Sequence, residues 1–412
     1  MMKILVISQY YYPEDFRIND ICEELVRRGN QVTVVTGIPN YPEGVVYKGY
    51  EQSYNEPEKV NGVEIIRCHN RPRKKGVINL LLNYISYYKK ATKIVKKLSG
   101  NYDMVYAYQM SPVMQVIPAI KYKKKHRIPL FVYVCDLWPA SILDLGKKRL
   151  STSSVVYKYF LNISKRVYKQ ADFIGAKCEE FIDYLENVCN VDRKKCSVIY
   201  EHAESNYLNV SNTPIDNGVV DFMYLGNVGH SSNCDLIIKA TSMLVGENFK
   251  VHFVGDGSEL ENIKELTTEL NLNDKVVFHG RCPQKDTIDF YNLADVCLLS
   301  LSNDPAVGMT PPAKLTGYMA ACRPIVASVC GAAKKIIMEA KCGLICTPNN
   351  VEELSALMQS IINDQSILDN LGINGRNYYK EHFTIERHID ELLRAFQRFK
   401  TIGVFENENC SD

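Results

Sequence analysis

The chain has 412 residues, 46% hydrophobic and 23% charged, the balance of an ordinary globular protein and too long for one core, so two domains of roughly 200 residues each are expected. Its 14 cysteines form no CxxC pair and sit singly in apolar stretches such as those around Cys135, Cys297 and Cys322, which argues for reduced thiols and against a disulfide scaffold or zinc site. Net charge is +2, yet residues 1–200 hold 32 Lys+Arg against 19 Asp+Glu, a balance of +13, leaving 17 against 28 and −11 for the rest. A basic half suits anionic lipid, nucleic acid or a phosphorylated substrate, but no nucleic-acid-binding motif accompanies it, so no nucleic-acid partner is expected. No apolar run is long enough to span a membrane and no signal peptide is evident, so the expected location is cytosolic.

In chain order, residues 2–8 (MKILVIS) are a short apolar run and residues 31–36 (QVTVVT) a β-branched one. Between them Ile18, Ile21, Cys22, Leu25 and Val26 recur at helical spacing up to Gly29, which predicts a strand, helix, strand unit at the start. Arg17 falls near the start of that helix, where its guanidinium either clasps an anion or pairs with Glu14 or Asp20 on the surface. Residues 71–97 carry nine basic side chains and no acidic one, around Leu80, Leu81, Leu82, Tyr84, Ile85, Tyr87 and Tyr88. Such a helix either lies on an anionic membrane or is a core helix with a solvated lysine face. Apolar runs at 104–108, 129–134, 173–176 and 196–200, separated by helical stretches, continue the alternation and predict a parallel sheet with helices on both faces. Asp136, in the Cys135-Asp136-Leu137-Trp138-Pro139 stretch after one of these strands, suits a catalytic or hydroxyl-orienting role, or caps the next helix.

The polar, Asn-, Ser- and Pro-rich stretch 204–218 marks a domain boundary. A second series of strands follows at 219–225, 250–254, 275–279, 296–300, 324–328 and 343–346, predicting a second doubly wound α/β unit. Two such halves would present a cleft between facing sheet edges. Residues 385–399 form a last amphipathic helix, and 401–412 read as a loose polar tail.

Tyr224-Leu225-Gly226-Asn227-Val228-Gly229 places glycines directly after the first strand of this half, and Val254-Gly255-Asp256-Gly257 after the next. Such glycines let a backbone approach a pyrophosphate closely, or are tight turns that the fold requires. In the stretch 304–333, Gly308, Thr310, Pro311 and Pro312 predict an irregular loop, and Leu315, Tyr318 and Met319 predict a helix from about Ala313. Lys314 sits in its first turn, where a cation opposes the helix dipole. That placement makes sense with a phosphate between them, or if the side chain is merely solvated. A further strand-to-helix junction, at Cys330-Gly331-Ala332-Ala333, is aimed at the same sheet edge. No DxD, HExxH, Walker loop or GxSxG occurs, so neither a metal nor a cofactor is expected.

QYYYPEDFRINDICEELVRRGNQVTVVTGIPNYPEG, DLWP, YLGNVG, VGDG and PPAKLTGYMAACRPIVAS, in this order, resemble the bacterial family 4 glycosyltransferases, and within them the capsule, colanic-acid and O-antigen branch that includes an L-fucosamine transferase. The likeness covers nearly the whole chain. It implies a GT-B fold of two Rossmann-like domains: an acceptor domain 1–205, a nucleotide-sugar donor domain 206–382, a helix 383–401 crossing back onto the first, and a loose tail 402–412. It also implies retaining, metal-independent transfer from a nucleotide-diphosphate sugar, a UDP-sugar, to a polyprenyl-diphosphate-linked saccharide, by an enzyme peripheral on the inner face of the cell membrane. Asp136, Arg17 and Lys314 become the catalytic set. Gly226, Asn227, Gly229, Gly255, Arg281, Pro312, Lys314 and Leu315 fall on the donor side, and Arg17, Asn19, Glu201 and His202 on the acceptor side. The chain departs from the family at Gly317 and Met309, where glutamates are usual, at His230, near a usual basic position, and at Glu201-His202 in place of Asn-Gly. Those departures keep open a rival reading, a non-catalytic sugar-nucleotide or polysaccharide-binding partner; a nucleotide-sugar epimerase is a third.

Overall fold

The computed structural model describes residues 1–51, 57–74, 76–143, 151–203, 205–246, 248–283, 286–303 and 305–408; Lys75, Glu204, Asp304 and the end of the expected tail, 409–412, lie outside them. The chain forms two compact units, Met1–Tyr200 with Ile385–Asp412, and Glu201–Thr384.

The first unit holds β1 (Lys3–Ile7), β2 (Gln31–Gly37), β3 (Glu58–Val60), β4 (Val63–Cys68), β5 (Met104–Gln109), β6 (Leu130–Val134), β7 (Phe173–Ala176) and β8 (Cys196–Val198). Their order is β3-β4-β2-β1-β5-β6-β7-β8, parallel except for β3 against β4. β1, β5 and β6 are buried along almost their whole length, which is why they read as unbroken apolar runs. The hairpin β3–β4 was not expected. Asn61 and Gly62 turn it with φ of 49° and 84°, the two positive-φ residues of an Asn-Gly hairpin loop.

Helix Ile18–Arg27 lays Ile18, Ile21, Cys22 and Leu25 on this sheet, and the last helix adds Ile389, Leu392 and Phe396 to the same core. Phe396 meets the rings of Tyr106 and Phe131 at 5.9 and 5.2 Å, and His388 Nδ1 lies 2.7 Å from the Tyr200 carbonyl. The helix runs Ile385–Glu408, well into the stretch expected as a loose tail, because no proline interrupts it and one glycine alone does not stop it. Helix Val77–Val95 buries Tyr84, Tyr87, Ala91 and Val95. Tyr84 and Tyr87 are therefore core contacts, Tyr88 is half-buried, and the exposed apolar side chains are Val77, Ile78 and Leu82 at the N-terminal end.

The second unit holds β9 (Val220–Leu225), β10 (Phe249–Val254), β11 (Val276–Gly280), β12 (Val296–Ser300), β13 (Ile325–Ser328) and β14 (Gly343–Cys346) in the order β11-β10-β9-β12-β13-β14, all parallel. Phe222, Tyr224, Val251, Phe253 and Leu298 pack with Ile237, Ile238, Leu354, Met358 and Ile361. Gly308 ends a one-turn helix, Pro305–Gly308, rather than lying in an irregular loop, and the helix after β13 spans Gly331–Ala340.

Arg323, just before β13, is completely buried. Its guanidinium donates to the carbonyls of Tyr291 (2.6 Å), Ser211 (2.8 Å), Asn212 (3.2 Å) and Cys322 (3.3 Å). Arg376 adds bonds to Val210 O at 2.8 Å and Ala320 O at 2.9 Å. Two cations thus staple the segment that enters this unit to the base of its sheet. In Arg323→Met the four carbonyls lose their donor, and each buried unsatisfied acceptor costs about 1 kcal/mol or more. Chemical denaturation should show a loss of about 3 kcal/mol or more, with Arg323→Lys recovering only part of it.

Candidate functional site

In the second unit the candidate residues converge where β9 and β10 end. The chain leaves β9 through Gly226 at φ +134° and β10 through Gly255 at φ +147°, values that side chains rarely tolerate. A Cβ on Gly255 would fall 1.9 Å from the Gly226 carbonyl oxygen, and one on Gly257 would fall 2.2 Å from that of Val228. These turns pack backbone on backbone, which accounts for Gly255 and Gly257 as fold requirements. Gly226 differs: its Cβ would meet the Lys314 side chain, at 3.2 Å from Cε.

Helix Ala313–Ala320 begins as the sequence predicts. Pro312, extended at φ −71° and ψ 139°, holds the N-cap position, and no side chain caps the helix, so its first N–H groups have no side-chain acceptor. Buried Tyr318 fixes the helix to the sheet: its hydroxyl accepts from Leu225 N–H at 3.1 Å and lies 3.2 and 3.3 Å from the carbonyls of Leu225 and Leu298. Lys314 folds over Tyr224, Nζ 4.0 Å from the ring centroid and donating to the phenol oxygen. The Tyr224 hydroxyl donates to Asn227 O at 2.8 Å, as does Ser232 Oγ at 2.8 Å, which closes the turn 226–229. Lys314 is half-buried and has no ion pair among the described residues. Burial lowers its pKa to about 8. A desolvated ammonium beside an open helix start and a glycine turn is a receptor for a compact anion.

The other donor-side residues fall out unevenly. Asn227 is exposed, its amide nitrogen 2.6 Å from where a Gly229 Cβ would lie. Arg281 is exposed directly after β11, and Pro312 is half-buried. Leu315 turns its side chain fully into the core, and its N–H donates to Pro312 O at 3.0 Å. At Gly317 a Cβ would sit 2.9 Å from Tyr291 Oη and 3.5 Å from Tyr207 Cε2, so a side chain could enter only by displacing tyrosine. Met309 is half-buried.

In the first unit Asp136 does not cap the helical turn that follows it. One carboxylate oxygen accepts from Ser111 N–H (2.9 Å) and Ser111 Oγ (2.8 Å), while Trp138 Nε1 donates to the same Oγ at 2.9 Å. Its other oxygen has no hydrogen bond among the described residues. Arg17 is half-buried at the N-cap of helix Ile18–Arg27. Asn19 is spent on the loop before it, accepting from Tyr12 N–H at 3.1 Å and donating to Glu14 O at 2.8 Å. Glu201 and His202 belong to the second unit, because Ala203 donates to Phe383 O and accepts from Tyr379 Oη, both at 3.0 Å.

Sequence reasoning passed over three features at this edge. Glu14 is buried and accepts from the N–H groups of Asn40 (2.6 Å) and Tyr41 (2.7 Å); burial raises its pKa to about 7 against those bonds. Tyr10, Phe16 and Tyr41 form a ring cluster with centroids 5.2 to 5.6 Å apart. Arg73 lies over Tyr41, 5.3 Å from its centroid. A Glu directly after Tyr-Tyr-Pro was the available signal for the first; the cluster has none, since Tyr41 reaches Tyr10 and Phe16 from the separate loop after β2.

Among the described residues no group of three or more His, Cys, Asp or Glu is placed to hold a metal ion, and no helix is long and apolar enough to cross a membrane. Two family models match in tandem: Glycosyltransferase Family 4 over residues 17–201 and Glycosyl transferases group 1 over 209–378. The chain is 24% identical over 288 residues to the probable glycosyltransferase WbjE of Pseudomonas aeruginosa, covering 67% of this chain and 70% of that one. It is 25% identical over 182 residues to the lipopolysaccharide core biosynthesis glycosyltransferase LpsE of Rhizobium meliloti, covering 44% and 50%. Anabaena Alr3699/HepE in complex with UDP and glucose superposes with a TM-score of 0.67 at 16% identity, over 96% of this chain and 100% of that one. With both units matched, the chain belongs to the glycosyltransferases that join a family 4 N-terminal region to a group 1 C-terminal region, on a GT-B fold of two Rossmann-like domains.

Proposed function

We propose that this enzyme is a retaining, metal-independent transferase of the capsule and O-antigen type, near the L-fucosamine transferase group. It moves a sugar from a UDP-sugar to a polyprenyl-diphosphate-linked saccharide while resting on the inner face of the cell membrane. The observation that carries the reading is the run from Lys314 through Tyr224 to the Asn227 carbonyl, beside an uncapped helix start. When the bond between the anomeric carbon and the diphosphate breaks, the electron pair goes to the leaving oxygen, and Lys314 with the helix N–H groups takes up that charge. The acceptor hydroxyl forms the new bond on the same face and loses its proton to the departing phosphate. Asp136, with one carboxylate oxygen uncommitted, and Arg17 hold the acceptor. A UDP complex of HepE, a protein of the same fold, supports the choice of nucleotide.

Lys314→Ala should lower kcat/KM by about 100-fold, as losing one donor to a developing oxyanion does, with the thermal midpoint retained. Wild-type activity in the variant would refute the assigned role. Because burial holds the Lys314 pKa near 8, its charge is complete below that pH and lost as pH rises through it. Calorimetric UDP affinity should therefore fall between pH 7 and pH 9.5 in the wild type and stay flat in Lys314→Ala.

For the membrane, the exposed apolar end of helix Val77–Val95 supports contact: Ile78 is 75% exposed, and no acidic residue occurs from 71 to 97. Ile78→Asp should reduce co-sedimentation with phosphatidylglycerol vesicles several-fold and leave UDP binding unchanged. Equal sedimentation would remove this face from the membrane.

A further inference from the structure

Arg73 has no carboxylate bound to it among the described residues. It lies in the loop between β4 and helix Val77–Val95, half-buried, and makes no ion pair among the described residues. Its neighbours are phenols: it lies over the Tyr41 ring, 5.3 Å from the centroid, and beside Tyr10 and Tyr84. The nearby carboxylate of Glu14 is already occupied by the Asn40 and Tyr41 N–H groups. Where Arg323 fills its donors with main-chain carbonyls, the Arg73 side chain has neither a carbonyl nor a carboxylate partner among the described residues, which leaves its guanidinium able to take an anion from outside.

The loop is built rigidly for such a guest. Arg73 N–H donates to Asn40 Oδ1 at 2.6 Å, Asn83 Nδ2 donates to Arg71 O at 2.6 Å, and Arg71 N–H donates to Ser86 Oγ at 2.9 Å. A Cβ on Gly44 would fall 1.6 Å from the Arg73 carbonyl oxygen, so the loop after β2 closes directly on this one. Immediately after Arg73 the chain reaches the exposed Val77 and Ile78.

We infer that Arg73, with the Tyr10 and Tyr84 hydroxyls, is the receptor for the diphosphate of a prenyl-linked acceptor, the lipid leaving past the apolar start of helix Val77–Val95. A guanidinium takes two phosphate oxygens in a fork, and the fixed loop holds that fork before the ligand arrives. The inference rests on the lipid-linked acceptor proposed above and adds which residue reads its charged group.

The probe is farnesyl diphosphate, titrated calorimetrically into the full chain with UDP saturating, for wild type, Arg73→Gln and Arg73→Lys. Wild type should bind; Arg73→Gln should bind at least tenfold more weakly with unchanged UDP affinity, and Arg73→Lys should fall between. Vesicles of phosphatidylglycerol form the second arm. A loss confined to vesicles would show a bilayer headgroup contact and overturn the inference, as would equal farnesyl diphosphate binding by Arg73→Gln or none by wild type. If Arg73→Gln loses UDP binding as well, Arg73→Lys alone decides: it must weaken farnesyl diphosphate binding while keeping UDP affinity, and failure to do so overturns the inference. A chain that binds farnesyl diphosphate through Arg73 but transfers no sugar would refute the proposed function and uphold this site.

Discussion

The second unit depends on a buried cation that makes no ion pair among the described residues, with the Asp295 carboxylate near enough to add to its field. Arg323 is sealed from solvent and spends its donors on main-chain carbonyls from three separate stretches of chain. A guanidinium can do this because its donors are fixed in a plane and its charge is spread, so several carbonyl dipoles together replace a carboxylate. The bonds join the entering segment, the helix before β12 and the residue leading into β13. Those elements flank helix Ala313–Ala320, whose start carries Lys314, so the position of that lysine is inherited from the clamp below it and from the Tyr318 bolt to β9 and β12.

The upper edge of the same sheet then illustrates how space and charge are shared. Gly226 and Gly255 bring two turns into backbone contact, leaving no room for side chains and placing main-chain groups at the surface of the turn. Lys314 lies against Gly226 and over Tyr224, where the ring face offsets part of its desolvation. Burial still weakens its hold on the proton. A lysine in this state is one that an incoming phosphate would stabilise, so affinity and proton binding are coupled.

In the first unit the loops after β1, β2 and β4 are fastened to one another by Glu14, Asn40 and Gly44 rather than by regular structure. Polar side chains turned onto main-chain N–H groups give these loops the satisfaction that a strand or helix would otherwise supply. On that base stand the Tyr10, Phe16 and Tyr41 rings and Arg73, while Asp136 is oriented independently by Ser111 and Trp138.

Apolar runs such as 2–8 and 219–225, punctuated by helical spacing and glycines, determined two doubly wound parallel sheets without reference to any contact, because a strand buried on both faces has no other composition open to it. The hairpin at Asn61-Gly62 was missed despite its turn residues, because its strands are short and half-polar. Gly226 and Asp136 were recognisable as edge residues because a strand end fixes where the next few side chains emerge, and Lys314 because Pro311 and Pro312 place a helix start there. What only the tertiary structure decided is the partner of each: that Leu315 faces inward, that Tyr84 and Tyr87 are core rather than surface, that Gly317 is held empty by two tyrosines, and that Arg73 has no ion pair among the described residues. Those outcomes depend on residues tens to hundreds of positions apart meeting in space, and local periodicity carries no record of which distant side chain will fill a given neighbour's hydrogen bonds.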